Sequence, residues 1–147
     1  MRENSHSVIV HCQFKEALAE IIGWGESSWW PKNSLMRFVR QGSGPVQKGI
    51  RYRQEVLLPF APSWDVEISQ ITASSITRRF LNGMFSGQET VSLKGEDSAI
   101  AVFYKMIYEV NGILNKILWT LFFRRLHDKN IKAILANLKS FLEKRNR

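Results

Sequence analysis

The chain is predicted to be an α+β domain in which a seven-stranded antiparallel sheet is followed by one long carboxy-terminal helix. Three observations point there. Residues 50–110 alternate apolar and polar side chains with little interruption, the period of strands that bury one face. Asn82-Gly83, between two such runs, is the dipeptide favoured in tight hairpins, so the runs fold back on one another in series. From residue 112 the period changes to that of a helix and holds to about residue 144. With 147 residues, 44% of them hydrophobic and 12% aromatic, the chain has enough apolar material for one core, and residues 1–147 read as a single domain.

Taken in order, residues 6–12 are β-branched and alternating, and predict the first strand. Phe14, Ala17, Leu18, Ile21 and Ile22 follow the spacing of an amphipathic helix over 14–22, which stops near Gly23 and Gly25. Residues 26–33 hold Trp29, Trp30 and Pro31, expected to form a packed lid over the first helix. One or two short helices therefore separate strand one from strand two at 35–41. Residues 42–49 form a glycine-rich turn without the Gly-Lys-Ser/Thr ending of a phosphate-binding loop. The later strands are expected at 50–58, 64–72, 76–81, 84–93 and 98–110. Along the last helix the apolar stripe changes direction between Phe122 and Ile131, so a kink is expected across His127-Asp-Lys-Asn130.

Charge is uneven. Of the net +8, +7 falls in the last 36 residues, where nine Lys and Arg face two acidic residues. The apolar stretch 112–123 that opens this segment is too short, and too interrupted by Lys116, to span a bilayer. Trp119, Phe123 and Leu126 widen its apolar surface beside Lys116, Arg124, Arg125, Lys129 and Lys132. Its charge reads first as a solvated helix face, and its apolar surface suits either transient docking on an anionic membrane or burial of its aromatics in a homodimer interface or against the first helix. No nucleic-acid-reading motif accompanies the charge, so nucleic acid is not expected as a partner. The single cysteine, Cys12, excludes an intramolecular disulfide and suits a reducing compartment, and no secretory leader is read at the amino terminus; the expected address is cytoplasmic. His6, His11 and His127 have no metal-ligand spacing, and neither metal nor cofactor is expected.

Several short motifs then carry a likeness. Trp30-Pro31, Gly42-x-Gly44-Pro45 running to Gly49-Ile-Arg-Tyr52, Phe85-x-Gly87-x-Glu89, Tyr108-Glu-Val-x-Gly112 and the Leu138-Lys139 to Glu143 helix ending occur in an order that resembles the START-like, helix-grip superfamily. The closer resemblance is to its polyketide cyclase/dehydrase-like and coenzyme Q-binding branch. It implies a curved sheet wrapped around the carboxy-terminal helix, with a cavity between them for a hydrophobic small molecule such as a lipid, quinone or polyketide-like ring system. No catalytic set of that family carries over onto these residues.

Strand parity supplies candidate binding residues. A two-residue turn at Asn82-Gly83 sets Phe80 against Phe85, Arg78 against Gly87 and Ile76 against Glu89. A loop over Gly95-Glu96 then adds Tyr104, Met106 and Tyr108 to the same face. Strands three and four contribute Tyr52 and Gln70, and Leu118 comes from the helix. Tyr52, Gln70, Arg78 and Tyr104 are expected in one row, with Glu89 one step away and an Arg78–Glu89 ion pair between them, because buried charges are rare unless paired. This polar group either satisfies itself, orients a ligand, or uses Glu89 or Tyr104 for proton transfer. Binding or carriage of a hydrophobic molecule leads; a cyclase or dehydratase working in the same cavity is the alternative.

Overall fold

The computed structural model describes residues 1–59 and 61–146. Its strands are β1 (Arg2–Val10), β2 (Met36–Gln41), β3 (Arg51–Val56), β4 (Ser63–Ile71), β5 (Ser75–Phe80), β6 (Phe85–Glu96) and β7 (Ala99–Val110). They form one antiparallel sheet in the order β1-β7-β6-β5-β4-β3-β2. Helix α1 (Phe14–Ile22) buries Ala17 and Ile21, and is followed by a cluster in which Trp24, Trp29 and Trp30 meet mostly edge to face, as the expected lid. β1 starts four residues earlier than its apolar pattern implies. Arg2 to Ser5 pair with Tyr108 to Lys105 through their backbones, and a ladder needs no apolar side chains.

Each expected hairpin register moves, and the reason is tertiary. Asn82 does not form a two-residue hairpin turn, because its side chain both accepts from the Asp65 N–H at 3.0 Å and donates to the Asp65 carboxylate at 2.9 Å. Gly83 lies against Trp64. The β5–β6 ladder therefore ends at Arg79↔Gln88, and Arg78 lies opposite Glu89 rather than Gly87. At the next hairpin Asp97-Ser98 make the turn, with Ser98 at φ +85°, and Glu89 pairs with Met106. Both slips are even in number, so every inward side chain stays inward. β4 breaks parity instead. Its pairing shifts at Ser69, between Ile68↔Arg78 and Gln70↔Thr77, and this bulge turns Gln70 out to solvent, correcting its expected place on the concave face.

The carboxy-terminal helix runs unbroken for 33 residues as α2 (Ile113–Leu118), a π-helical turn (Trp119–Phe123) and α3 (Arg124–Arg145). No break falls at residues 127–130; the stripe changes direction because the π turn upstream holds extra chain per turn and resets the phase of everything after it. Trp119, His127, Ile131, Ile134, Leu138 and Leu142 thereby fall on one buried line against the sheet. Trp119 is thus core, and Phe123 and Leu126 are half-buried, so these three do not supply an exposed apolar surface. No described helix is long and apolar enough to cross a membrane.

Candidate functional site

Two arrangements occupy the concave side of the sheet. The deeper is a closed polar chain. Glu89, 3% exposed, accepts from Gln54 Nε2 at 2.8 Å on one carboxylate oxygen and from the Tyr104 hydroxyl at 2.9 Å on the other. Gln54 in turn accepts from Trp64 Nε1 at 2.6 Å. Gln54 was not anticipated, although it stands in the inward parity of Tyr52 and was legible on that ground. Burial, with the Glu89 charge beside it, holds the Tyr104 hydroxyl protonated far above the usual phenol range.

Arg78 is wholly buried yet makes no hydrogen bond to Glu89, which corrects the expected ion-pair contact. Neutral donors already occupy both Glu89 oxygens. Arg78 Nη2 donates to the Trp24 carbonyl at 3.4 Å, and its Nε and Nη1 have no partner among the described residues. The guanidinium instead lies 5.8 Å from the ring centres of both Phe38 and Tyr52. Burial pulls the Arg78 pKa down, opposed by the nearby Glu89 charge. Tyr52 turns its hydroxyl towards Glu26 at 3.3 Å, and Arg40 holds that carboxylate from the other side.

The second arrangement is a narrow cleft with a free volume of about 30 Å³, partly open to solvent, between the start of the helix and the far end of the sheet. Its sheet side is made by Leu35, Met36, Val56, Trp64 and Met84, and its helix side by Trp119, Phe123, Leu126, His127 and Asn130. All of this wall is apolar except the last two side chains. Each of those is 8% exposed; His127 Nε2 and Asn130 Nδ2 have no hydrogen-bond partner among the described residues, while Asn130 Oδ1 accepts from Ser34 Oγ at 2.9 Å. Burial lowers the His127 pKa to about 4, so the ring is neutral at ordinary pH. A groove lined by Pro31, Ser34, Lys129 and Ala133 continues from the cleft through Leu35, Leu126 and Asn130.

Of the sequence-predicted residues, Tyr52, Arg78, Phe80, Phe85, Glu89, Tyr104, Met106 and Tyr108 are buried on the concave side; Gln70 is exposed and Leu118 half-buried. None of the ten lines the cleft. The space expected above the middle of the sheet is filled by Trp24, Tyr104, Arg78 and Met106, each at most 1% exposed. Phe85 and Tyr108 form the layer behind the cleft, the first 5.0 Å from the Trp119 ring and the second accepting from Trp119 Nε1 at 3.0 Å. His127 and Asn130 were missed because they were read as a kink. Two polar residues three apart on an otherwise apolar stripe were the available signal.

Among known proteins, no family model and no curated sequence matches the chain. Solved structures do. The Zhui aromatase/cyclase from Streptomyces sp. R1128 superposes with a TM-score of 0.68 at 16% identity, over 99% of this chain and 96% of that one. Norcoclaurine synthase from Thalictrum flavum, solved with a transition-state analogue, gives 0.72 at 11% identity over 99% and 96%. A START superfamily protein from Mycobacterium smegmatis gives 0.67 at 10% identity over 97% of each chain. At these identities the likeness establishes the fold alone: an α+β helix-grip architecture like that of these START-like structures.

Proposed function

We propose that this START-like fold binds or carries a hydrophobic small molecule, a lipid, quinone or polyketide-like ring system, in the cleft between the sheet and the carboxy-terminal helix. The observation that carries the reading is the cleft itself. Met36, Val56, Trp64, Met84, Trp119 and Phe123 give it the apolar wall of a small-ligand site, and with a free volume of about 30 Å³ it must widen to admit anything larger than water. Native mass spectrometry of the purified protein tests it, with a co-purifying small molecule as the expected result. Met84→Trp, which fills the cleft from the sheet side, should abolish that mass. A bare protein that also takes up none of a panel of hydrophobic probes overturns the reading.

A cyclase or dehydratase acting on a similar molecule is the second reading, favoured by the chain of Tyr104, Glu89 and Gln54, a desolvated carboxylate beside a protonated phenol. It requires turnover that Glu89→Gln removes while ligand affinity stays unchanged.

The outer face of the same helix supports exchange of the ligand at an anionic membrane surface. Ile113, Leu114, Ile117, Leu121 and Phe122 are 49–80% exposed, and exposed Lys116, Arg124, Arg125, Lys129 and Lys132 flank or follow them. No acidic residue falls between residues 110 and 127. In an isologous dimer through this face the two copies present the same cations to one another, whereas anionic headgroups complement them at about 1 kcal/mol per basic residue. Co-sedimentation with phosphatidylserine vesicles at low salt, lost at high salt, is the expected result; a concentration-dependent dimer that ignores vesicles assigns the face to self-association. The reduced Cys12 and this inward-facing lipid charge both fit a cytoplasmic protein.

A further inference from the structure

We infer that the buried end of the ligand carries an uncharged carbonyl oxygen, as in a ketone or quinone, which pairs with His127 and Asn130. This rests on the small-molecule reading of the cleft and adds the chemistry of its occupant. A purely apolar wall would suit any hydrocarbon, but this one holds two polar side chains on successive turns of α3, each more than nine-tenths buried. Both direct an unpartnered nitrogen into that surrounding, and leaving such groups unpaired is unfavourable.

The donor pattern selects the group. Ser34 Oγ has one proton and lies 2.9 Å from Asn130 Oδ1 and 3.0 Å from the Met36 carbonyl; with that proton on Asn130 Oδ1, the amide N–H of Asn130 is the free atom. His127 is a neutral ring that carries its proton on Nε2 whenever an acceptor is offered there. A carbonyl oxygen has two lone pairs and no proton, so a single atom accepts from both. A carboxylate fits worse. Among the described residues no permanent cation lines the cleft to balance its charge, Lys129 lying in the adjoining groove, and taking an ionised group into an apolar wall is strongly unfavourable. Arg78, the cation that the sequence offered as a ligand donor, lies outside this wall.

Three probes of matched shape separate the possibilities: 2-acetylnaphthalene with the carbonyl, 2-ethylnaphthalene with a methylene in its place, and 2-naphthoate with the charge. Equilibrium dialysis against the intact protein is expected to show the ketone bound at least about ten-fold more tightly than either of the others, the size of one good buried hydrogen-bond pair. His127→Phe and Asn130→Leu should each bring the ketone towards the affinity of the hydrocarbon while leaving the hydrocarbon within about two-fold, and thermal melts of both variants report whether they fold. Equal binding of ketone and hydrocarbon overturns the inference, since ordered water then satisfies the two nitrogens. Tightest binding of the naphthoate also overturns it and places the recognition at Lys129. If none of the three probes binds, the small-molecule reading of the cleft falls, and this inference with it.

Discussion

Glu89 and Arg78 face each other across β5 and β6 without touching, and each charge is buried in its own way, Glu89 by one neutral hydrogen-bond donor on each oxygen and Arg78 by two aromatic faces. What they share is long-range compensation in a low dielectric. Removing one charge therefore leaves the other uncompensated. Glu89→Gln and Arg78→Met are each expected to destabilise by about 3 kcal/mol, and the double variant to recover at least half of the summed loss. Urea unfolding of the four proteins measures the coupling; strictly additive losses show that the gap insulates the pair. The sequence marked both residues as buried and close, from parity alone. It could not show that Gln54, held by Trp64, and Tyr104 would take up the carboxylate first, because those three residues arrive from three other strands.

At the level of elements, the sheet depends on one glycine more than on any hairpin dipeptide. Gly87 takes φ +123°, and a Cβ there would stand 2.1 Å from the Ile107 carbonyl oxygen on β7. Gly87→Ala must strain the backbone and push two paired strands apart, so a loss of about 3 kcal/mol or more is expected. A variant with an unchanged melting temperature removes this account of the β6–β7 approach. The first turns of the carboxy-terminal helix behave in the opposite way. Ile117 and Leu121 are 49% and 60% exposed, so Ile117→Lys with Leu121→Lys should change unfolding stability by only about 0.5 kcal/mol per site. Insertion into vesicles should nevertheless weaken, since two apolar side chains leave the docking face while its charge rises. The helix was legible in the 3.6-residue period. Its π turn was not, because a one-residue change of phase in an apolar stripe looks the same in sequence as a kink.

For the molecule as a whole, His127 links stability to pH. Its pKa is about 4 when folded, against the ordinary 6.5 when unfolded, so between these values the unfolded chain binds the extra proton. The contribution is fully present above pH 6.5 and is lost as pH falls towards 4, by about 3 kcal/mol in all. His127→Leu should flatten that window in urea melts, with the packing change read separately at pH 8; a slope unchanged from the parent would assign the loss to other groups. The ring sits between Tyr104, Trp119 and the cleft, so the same desolvation that makes it acid-sensitive keeps it a neutral partner for a ligand. Alternation, a hairpin dipeptide and one helical period were enough by themselves to determine seven antiparallel strands, the long helix and which side of most strands faces inward, because these are local periodicities that even-numbered register slips leave intact. Only the tertiary structure decided the bulge that expels Gln70, the capture of Asn82 by Asp65, and the position of the cleft. Whether a concave face is filled or open depends on how Trp24, Arg78 and Tyr104 pack together from distant parts of the chain, and no periodicity encodes that volume.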